Sequence, residues 1–392
     1  MSGILKVLLI SLLLLKAGSS FSQAVDPFYL QLVNQVSPDT ILANLQKLES
    51  LGRKEPGSAP LNLTADWLIS KYQSFGYTDI VRDTFQYSAY QLYNLVITKP
   101  GTIDPPQYLI ICGHYDTYHG PGVNDNGSGV ATILEVARII SEIPTTRTIK
   151  FINFSAEEQG LIGSAHYVSN TVVPSGLDIA LVFNIDEVGG VAGMVNNTIT
   201  CERDEASPAS NNAVSWHYTD TLVNLTQMYS ELQTHISYAY GSDYVPFQQA
   251  GKIIIGFYET NESAYPHTVN DNLINMSPEY VTQIAKASTA ASLYFSGAVP
   301  VNTVNIGNIA QDMIKVFPNP AAQRIYWELP AGTAGYVLKI YDAAGKLLLE
   351  RVYTSGEDYS ADLSSFKSGL LALKFELQGN LGSTKIVKIL KK

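Results

Sequence analysis

The chain has 392 residues, 46% of them hydrophobic and 15% charged, a globular composition long enough to bury a substantial core. Its formal charge of −10 argues against a nucleic-acid partner, which requires a basic face. Only two cysteines occur; Cys112, inside YLIICGHYD, reads as a small buried hydrophobe, and no bond to Cys201 is expected.

The first residues, MSGILKVLLISLLLLKAGSSFSQA, place Lys6 before an apolar run, Val7–Leu15, and small residues at Ser19–Ala24. That order predicts a secretory signal peptide over 1–24; the apolar run before Lys16 is too short to span a bilayer. No later segment is apolar for long enough to cross one, so an exported protein without a transmembrane anchor is expected.

Residues 38–75 predict two amphipathic helices, with Ser37 or Asp39 capping ILANLQKLESLG and Thr64 capping ADWLISKYQSFG. A strand-rich stretch follows to about Thr98. Apolar strands then alternate with helices: YLIIC with SGVATILEVARIISEI, TIKFINF with GLIGSAHYVSN, IALVFNI with SWHYTDTLVNLTQMYSEL, and KIIIGFY with a helix capped by Ser277. This alternation predicts an α/β fold with a largely parallel sheet, whose ligands gather at the carboxyl ends of the strands. After Pro300 the pattern changes to short β-type runs (IYWEL, YVLKIYD, LLLERVY, LALKFEL, KIVKIL) between turn signals, which predicts a small all-β sandwich. Residues 310–392 hold 11 Lys and Arg against 8 Asp and Glu, so the earlier residues carry −13 of the net −10. The expected organisation is 1–24 signal, 25–299 catalytic domain, 300–310 linker and 311–392 sandwich.

The strand ends carry groups of one chemical kind. His114 and Asp116 follow YLIIC, Asp125 lies in PGVNDNGSG, Glu157 and Glu158 follow FINFSA, Asp186 ends LVFNI, and His267 lies in AYPHTVND. Imidazole and carboxylate donors at strand exits suit zinc, and a pair of metals needs a bridging carboxylate. Adjacent glutamates at a buried strand end are costly unless a cation engages one of them, leaving the other free as a base. Asp116, two residues beyond His114 on one strand face, is placed to hold the imidazole. No G-x-S-x-G, P-loop or H-E-x-x-H is present.

GHYDT, GVNDNGSGV, FSAEEQGLIGS, NIDEVG, GSDYVPFQQAG and PHTVNDN, in that order, resemble the co-catalytic di-zinc aminopeptidases of the secreted bacterial leucyl aminopeptidase type, over roughly residues 35–298. The resemblance implies a phosphorylase/hydrolase-like α/β fold with a mixed sheet, two zinc ions, and peptide substrates with a free N-terminus. It implies that His114, Asp125 and Asp186 hold one zinc, that Asp125 bridges to a second held by Glu158 and His267, and that Glu157 is the general base. It also implies a second-sphere role for Asp116 beside His114, and a cis Asp125–Asn126 bond. The family's SDH element reads Ser242-Asp243-Tyr244 here, and either Tyr240 or Tyr238 stands where some members place a tyrosine that stabilises the tetrahedral intermediate; the disulfide beside that tyrosine is missing. Three alternatives share the fold: a one-zinc glutaminyl cyclase, a carboxypeptidase or dipeptidase using Arg203 or Lys252, and a non-catalytic binding protein.

KVFPNPAAQRIYWELP, VLKIYDAAGKLLLE and the ending GSTKIVKILKK resemble the type A sorting domain of the type IX secretion system, with Gly369-Leu370-Leu371-Ala372 departing from the usual G-L-Y-F strand. This implies the type IX machinery as a partner and a secreted or cell-surface location after outer-membrane passage. A carbohydrate-binding or adhesive sandwich is the competing reading.

Overall fold

The computed structural model describes residues 25–300, 314–328, 335–342, 345–354, 359–378 and 384–392. The expected signal peptide, and the expected linker apart from Pro300, lie outside the described residues. The chain divides into two compact units, Met1–Val301 and Asn302–Lys392.

The first unit opens with three helices, α1 (Pro27–Val33), α2 (Pro38–Leu51) and α3 (Ala59–Ser74). Ser37, not Asp39, caps α2 by accepting the Thr40 N–H at 3.2 Å. The expected cap of the next helix is corrected: Ser58 accepts the Leu61 N–H, and Thr64 lies inside α3 with its hydroxyl donating to the Pro60 carbonyl. Pro60 suits a first turn because it lacks the N–H that would stay unpaired there, so the helix starts before it.

Strands β1 (Asp79–Tyr87), β2 (Tyr90–Lys99) and β3 (Asp104–His114) lead to α4 (Gly127–Ile140) and β4 (Arg147–Phe154). Next, α5 (Ile162–Tyr167) runs through a π turn at Val168–Val172 into the short α6 (Val173–Ser175). Then come β5 (Asp178–Ile185), β6 (Thr198–Arg203), α7 (Asn212–Tyr229), β7 (Gln233–Tyr238), α8 (Val245–Gln249), β8 (Ile254–Glu259) and α9 (Pro278–Ser296). One eight-stranded sheet runs β1-β2-β4-β3-β5-β8-β6-β7. Its centre, β4-β3-β5-β8, is parallel, with antiparallel neighbours on both sides, so the sheet is mixed and mostly parallel as expected. Strands β6 and β7 escape sequence reading because TITCER and QTHISY lack a continuous apolar run, and β7 is mostly exposed at the sheet edge.

The central strands bury both faces, which is why they read as unbroken apolar runs. Leu109, Ile111, Phe151, Phe183 and Phe257 pack into one core with the helices α2, α4 and α9. Ile110, Cys112, Ile152, Val182 and Ile254 form the other with Tyr167, Tyr244 and Phe247. Cys112 and Cys201 are both buried and free. Among the described residues, no helix is long and apolar enough to cross a membrane.

The second unit contains a sheet of β9 (Lys315–Phe317), β10 (Arg324–Glu328) and β13 (Ser360–Asp362), and a sheet of β11 (Gly335–Asp342), β12 (Leu347–Thr354), β14 (Gly369–Gln378) and β15 (Thr384–Lys391). Neighbouring strands within each sheet are antiparallel. Ile325 and Trp327 from the smaller sheet share a core with Tyr336, Leu338, Tyr353, Leu373 and Phe375 from the larger. The Trp327 indole satisfies its N–H on the Tyr336 hydroxyl at 2.8 Å.

Phe183 is fully buried at the centre of β5, edge-to-face on Phe257. Its truncation, Phe183→Ala, is expected to cost about 3–5 kcal/mol of stability by denaturant titration, through lost transfer energy and an unfilled cavity.

Candidate metal centre

The carboxyl ends of β3, β4 and β5 lie side by side and deliver His114, the Glu157–Glu158 turn and Asp186 to one edge. Asp125 comes from the loop before α4, which is drawn tightly against β5. A side chain at Gly129 would lie 2.2 Å from the Ile185 carbonyl oxygen, so only glycine permits this approach. Asn126 stitches the contact: its Nδ2 donates to the Ile185 carbonyl, and its Oδ1 accepts the Gly129 and Glu187 N–H groups. The Asp125–Asn126 peptide bond is cis.

The seven histidine and carboxylate groups singled out in the sequence converge. His114 Nε2 lies 3.2 Å from Asp125 Oδ1 and 3.3 Å from Asp186 Oδ1, with Glu157 Oε2 at 4.0 Å. His267 Nε2 lies 3.2 Å from Asp125 Oδ2 and 2.8 Å from Glu158 Oε2. Asp125 therefore turns one oxygen to each imidazole. His114 is buried, while the His267 side chain is 54% exposed at the mouth of the site, with Tyr118 edge-on to it.

These contacts call for cations. His114 Nδ1 lies 3.1 Å from the Asp116 carbonyl oxygen, an acceptor that fixes the proton on Nδ1. Nε2 then presents a lone pair to two carboxylate oxygens, a repulsive arrangement unless a positive ion or a second proton sits between them. Glu158 Oε1 is buried and accepts no hydrogen bond. Nitrogen and carboxylate donors of this kind fit zinc.

Without a metal, protons take the cation's place. Burial pushes Glu157 up to about 10, with the carboxylates of Asp243, Asp186 and Asp116 adding to it against His114. Burial and Asp125 push Glu158 up to about 8, and burial with Asp125 and Asp186 pushes Glu187 up to about 10. His267 rises to about 9, chiefly through its hydrogen bond to Asp125. For His114, burial favours the neutral ring, but Asp186 and Glu157 outweigh it and hold the imidazole well above its usual range. Asp125 moves the other way: burial opposes ionisation, yet the hydrogen bonds from His114 and His267 keep it well below the usual carboxylate range.

Asp116 meets the imidazole with its backbone rather than with its carboxylate, which stays 3.8 Å from Nδ1. Its backbone carbonyl faces Nδ1, while its buried carboxylate accepts the N–H groups of Glu157 and Glu158 at 3.2 and 3.3 Å. The two tyrosines separate: Tyr238 ends β7 with 64% exposure, whereas the Tyr240 hydroxyl is buried without a hydrogen-bond partner and its ring packs 4.8 Å from Tyr258. Arg203 pairs with Glu205, and Lys252 donates to the Leu177 carbonyl, so neither is free to receive a carboxylate.

Several supporting residues were not foreseen. Asp271 accepts the backbone N–H of Asn124 at 2.7 Å and of Asp125 at 3.0 Å. Glu259 accepts both the Asn124 amide and the Gly190 N–H, and Ser242 donates to Asp186 Oδ2 at 2.6 Å. Lys54, 1% exposed, donates to the carbonyls of Gly52 and Pro121. PHTVND ended on Asp271 in plain view, but an aspartate that holds amides looks like any loop aspartate.

Residues 94–292 match the profile of peptidase family M28. The chain belongs to this family. Residues 315–389 match the secretion system C-terminal sorting domain. Over 205 residues the chain is 35% identical to aminopeptidase YwaD of Bacillus subtilis, an alignment covering 50% of this chain but only 42% of that protein's length. The LapA aminopeptidase of Legionella pneumophila shares the fold, with a TM-score of 0.60 and 24% identity over 70% of this chain and 75% of LapA. A glutaminyl cyclase of Macrostomum lignano does so equally, with a TM-score of 0.61 and 16% identity over 71% of this chain and 96% of the cyclase. The M28 fold thus accompanies both chemistries.

The raised groups set a pH signature for the metal-free protein. Each raised acid keeps in the folded chain a proton it has lost in the unfolded one, from about its ordinary 4.5 up to its raised value, and each raised histidine does so above 6.5. Stability must fall as pH rises through that window, by about 1.4 kcal/mol per pH unit for each excess proton. Urea titrations with chelator at pH 5, 6.5 and 8 are expected to show this decline, and zinc to flatten it. A metal-free stability that rises over the range would contradict the assignment.

Proposed function

We propose that the chain is an exported two-zinc aminopeptidase that releases N-terminal residues from peptides. The observation that carries this reading is Asp125, whose two oxygens face the two imidazoles at equal distance. His114, Asp125 and Asp186 would hold one zinc, and Asp125, Glu158 and His267 the other. Zinc bound there supplies a Lewis acid for the scissile carbonyl and a water of lowered pKa.

The remaining work falls to the chain's own groups. Glu157 stands beside the ligands without an assigned metal contact, where its carboxylate would take the proton of the attacking water and return it to the leaving amine. Asp116 orients Glu157 and Glu158 together through their amides and is a positioning residue. Tyr240 brings a buried, unpartnered hydroxyl beside Asp186, which favours it over the exposed Tyr238 as the donor to the developing oxyanion. Residues 1–24 would direct export, and the C-terminal unit would engage the type IX machinery for outer-membrane passage.

A one-zinc cyclase would leave one end of Asp125 without a role, so the cyclase reading is the weaker. Products settle it: incubation of the zinc-loaded protein with free, N-acetylated and Gln-initial versions of one peptide is expected to remove single N-terminal residues from free peptides only. Loss of ammonia from the Gln peptide alone would make it a cyclase, and trimming at the other end a carboxypeptidase.

Glu157→Gln is expected to retain both metals by elemental analysis while kcat falls about 10²–10⁴-fold. Tyr240→Phe is expected to lower kcat by up to about 10²-fold with little change in KM, whereas Tyr238→Phe leaves both alone. Deleting Asn302–Lys392 is expected to stop the protein short of the medium or cell surface; unchanged export would refute the sorting role.

A further inference from the structure

Three adjacent strands bring Asn184, Gly256 and Glu202 into one rung across β5, β8 and β6. Residues opposite one another in a sheet share a face, so Asn184 and Glu202 flank the bare Cα of Gly256. A side chain at Gly256 would lie 2.4 Å from Glu202 Oε2 and 2.8 Å from the Tyr244 ring, which fills the gap. Glu202 is only 2% exposed, and packing alone has no need of a carboxyl group there, since an apolar residue would fill the same space at less cost. Its hydrogen-bond partner is the Tyr244 hydroxyl, which donates to Oε2 at 2.9 Å.

The two polar ends of the rung hold one turn, residues 240–244. The Tyr244 hydroxyl gives its single proton to Glu202 and accepts the Tyr240 N–H at 2.9 Å. The Tyr240 carbonyl in turn accepts the Ser242 N–H at 3.0 Å. At the other end Asn184 Nδ2 donates to Ser242 Oγ at 2.8 Å, which leaves the serine proton for Asp186 Oδ2, 2.6 Å away. That bond fixes the rotation of Asp186, whose other oxygen, Oδ1, faces His114 Nε2 at 3.3 Å. Asn184, Ser242 and Tyr244 are fully buried, so a bond lost here is not made good by bulk water.

We propose that Tyr244, anchored on Glu202, is a positioning residue: it holds the 240–244 turn so that Ser242 presents its hydroxyl to Asp186, and thereby sets how tightly His114, Asp125 and Asp186 retain zinc. This rests on the zinc reading of that position given above.

Zinc affinity would be measured by competition with a chelator in the full chain, in Tyr244→Phe, in Ser242→Ala and in the double variant. Ser242→Ala removes the direct partner of Asp186 and is expected to weaken one of two zinc ions about 10–100-fold, with Tyr244→Phe weakening the same ion about tenfold. Because the Tyr244 hydroxyl acts through Ser242, the double variant is expected to bind no more weakly than Ser242→Ala alone. Glu202→Gln keeps an oxygen for the tyrosine proton and is expected to bind zinc as the wild type does. A loss there equal to that of Tyr244→Phe would put the effect on charge and overturn the hydrogen-bonding role. Unchanged affinity in Tyr244→Phe also overturns the proposal, as does additivity in the double variant, or equal weakening of both ions, which marks a general loosening of the fold. Glu202→Leu removes the same hydrogen bond from its other side and decides the matter should Tyr244→Phe not fold. A wild-type chain that holds one zinc refutes the two-zinc reading, yet the same variants still show whether Tyr244 governs that ion; a chain that holds none refutes both.

Discussion

The two oxygens of Asp125 face two imidazoles from opposite sides, and much of the catalytic unit is arranged around that carboxylate. Asp116, Glu157, Glu158, Asp186, Glu187 and Asp243 crowd around it, most of them held above their ordinary pKa by burial and by one another. Such a recess is unfavourable as an isolated object. It persists because the surrounding sheet and helices are closely packed and because cations or protons can relieve the repulsion. Function here is bought with local instability.

The support comes largely from backbone amides, which carry partial positive charge and cannot be titrated. Asp116 takes two of them from the Glu157–Glu158 turn, Asp271 takes two from the Asp125 loop, and Glu259 takes those of Gly190 and Ser263. Asn124 links the last two systems through its side chain. Each carboxylate thereby ties a different strand-end loop to its neighbour, so the loops that carry the candidate ligands form one connected body. Lys54 is a buried lysine on which Asp271, Asp116 and Asp125 act. Burial lowers it to about 8, and it spends its donors on carbonyls, which joins the end of α2 to the loop before Asp125.

What could be read in advance follows from this division. The candidate groups stood at or just beyond the ends of apolar strands, and the topology rule for parallel sheets was enough to bring His114, Asp125, Glu158, Asp186 and His267 to one edge. The central strands were legible because both of their faces are buried; β6 was not, because Ile199 and Cys201 are its only apolar residues, and β7 was not, because an edge strand needs no apolar run. The start of α3 was misplaced because Thr64 looks like a cap, whereas Ser58 and Pro60 settle the matter two turns earlier. Asp271, Asn124 and Glu259 act through amides distant in sequence, and no local pattern announces that. The difference in burial between Tyr240 and Tyr238 likewise cannot be expressed by a two-residue spacing along one stretch.

The unequal exposure of His114 and His267 separates the two ends of Asp125 in time as well as in space. The His267 end opens to water, whereas the His114 end is enclosed by β3, β5 and the Asp125 loop. On the two-zinc reading proposed above, an ion at the His267 end would exchange with the solvent readily and one at the His114 end slowly, so foreign ions would enter such a centre from the outside.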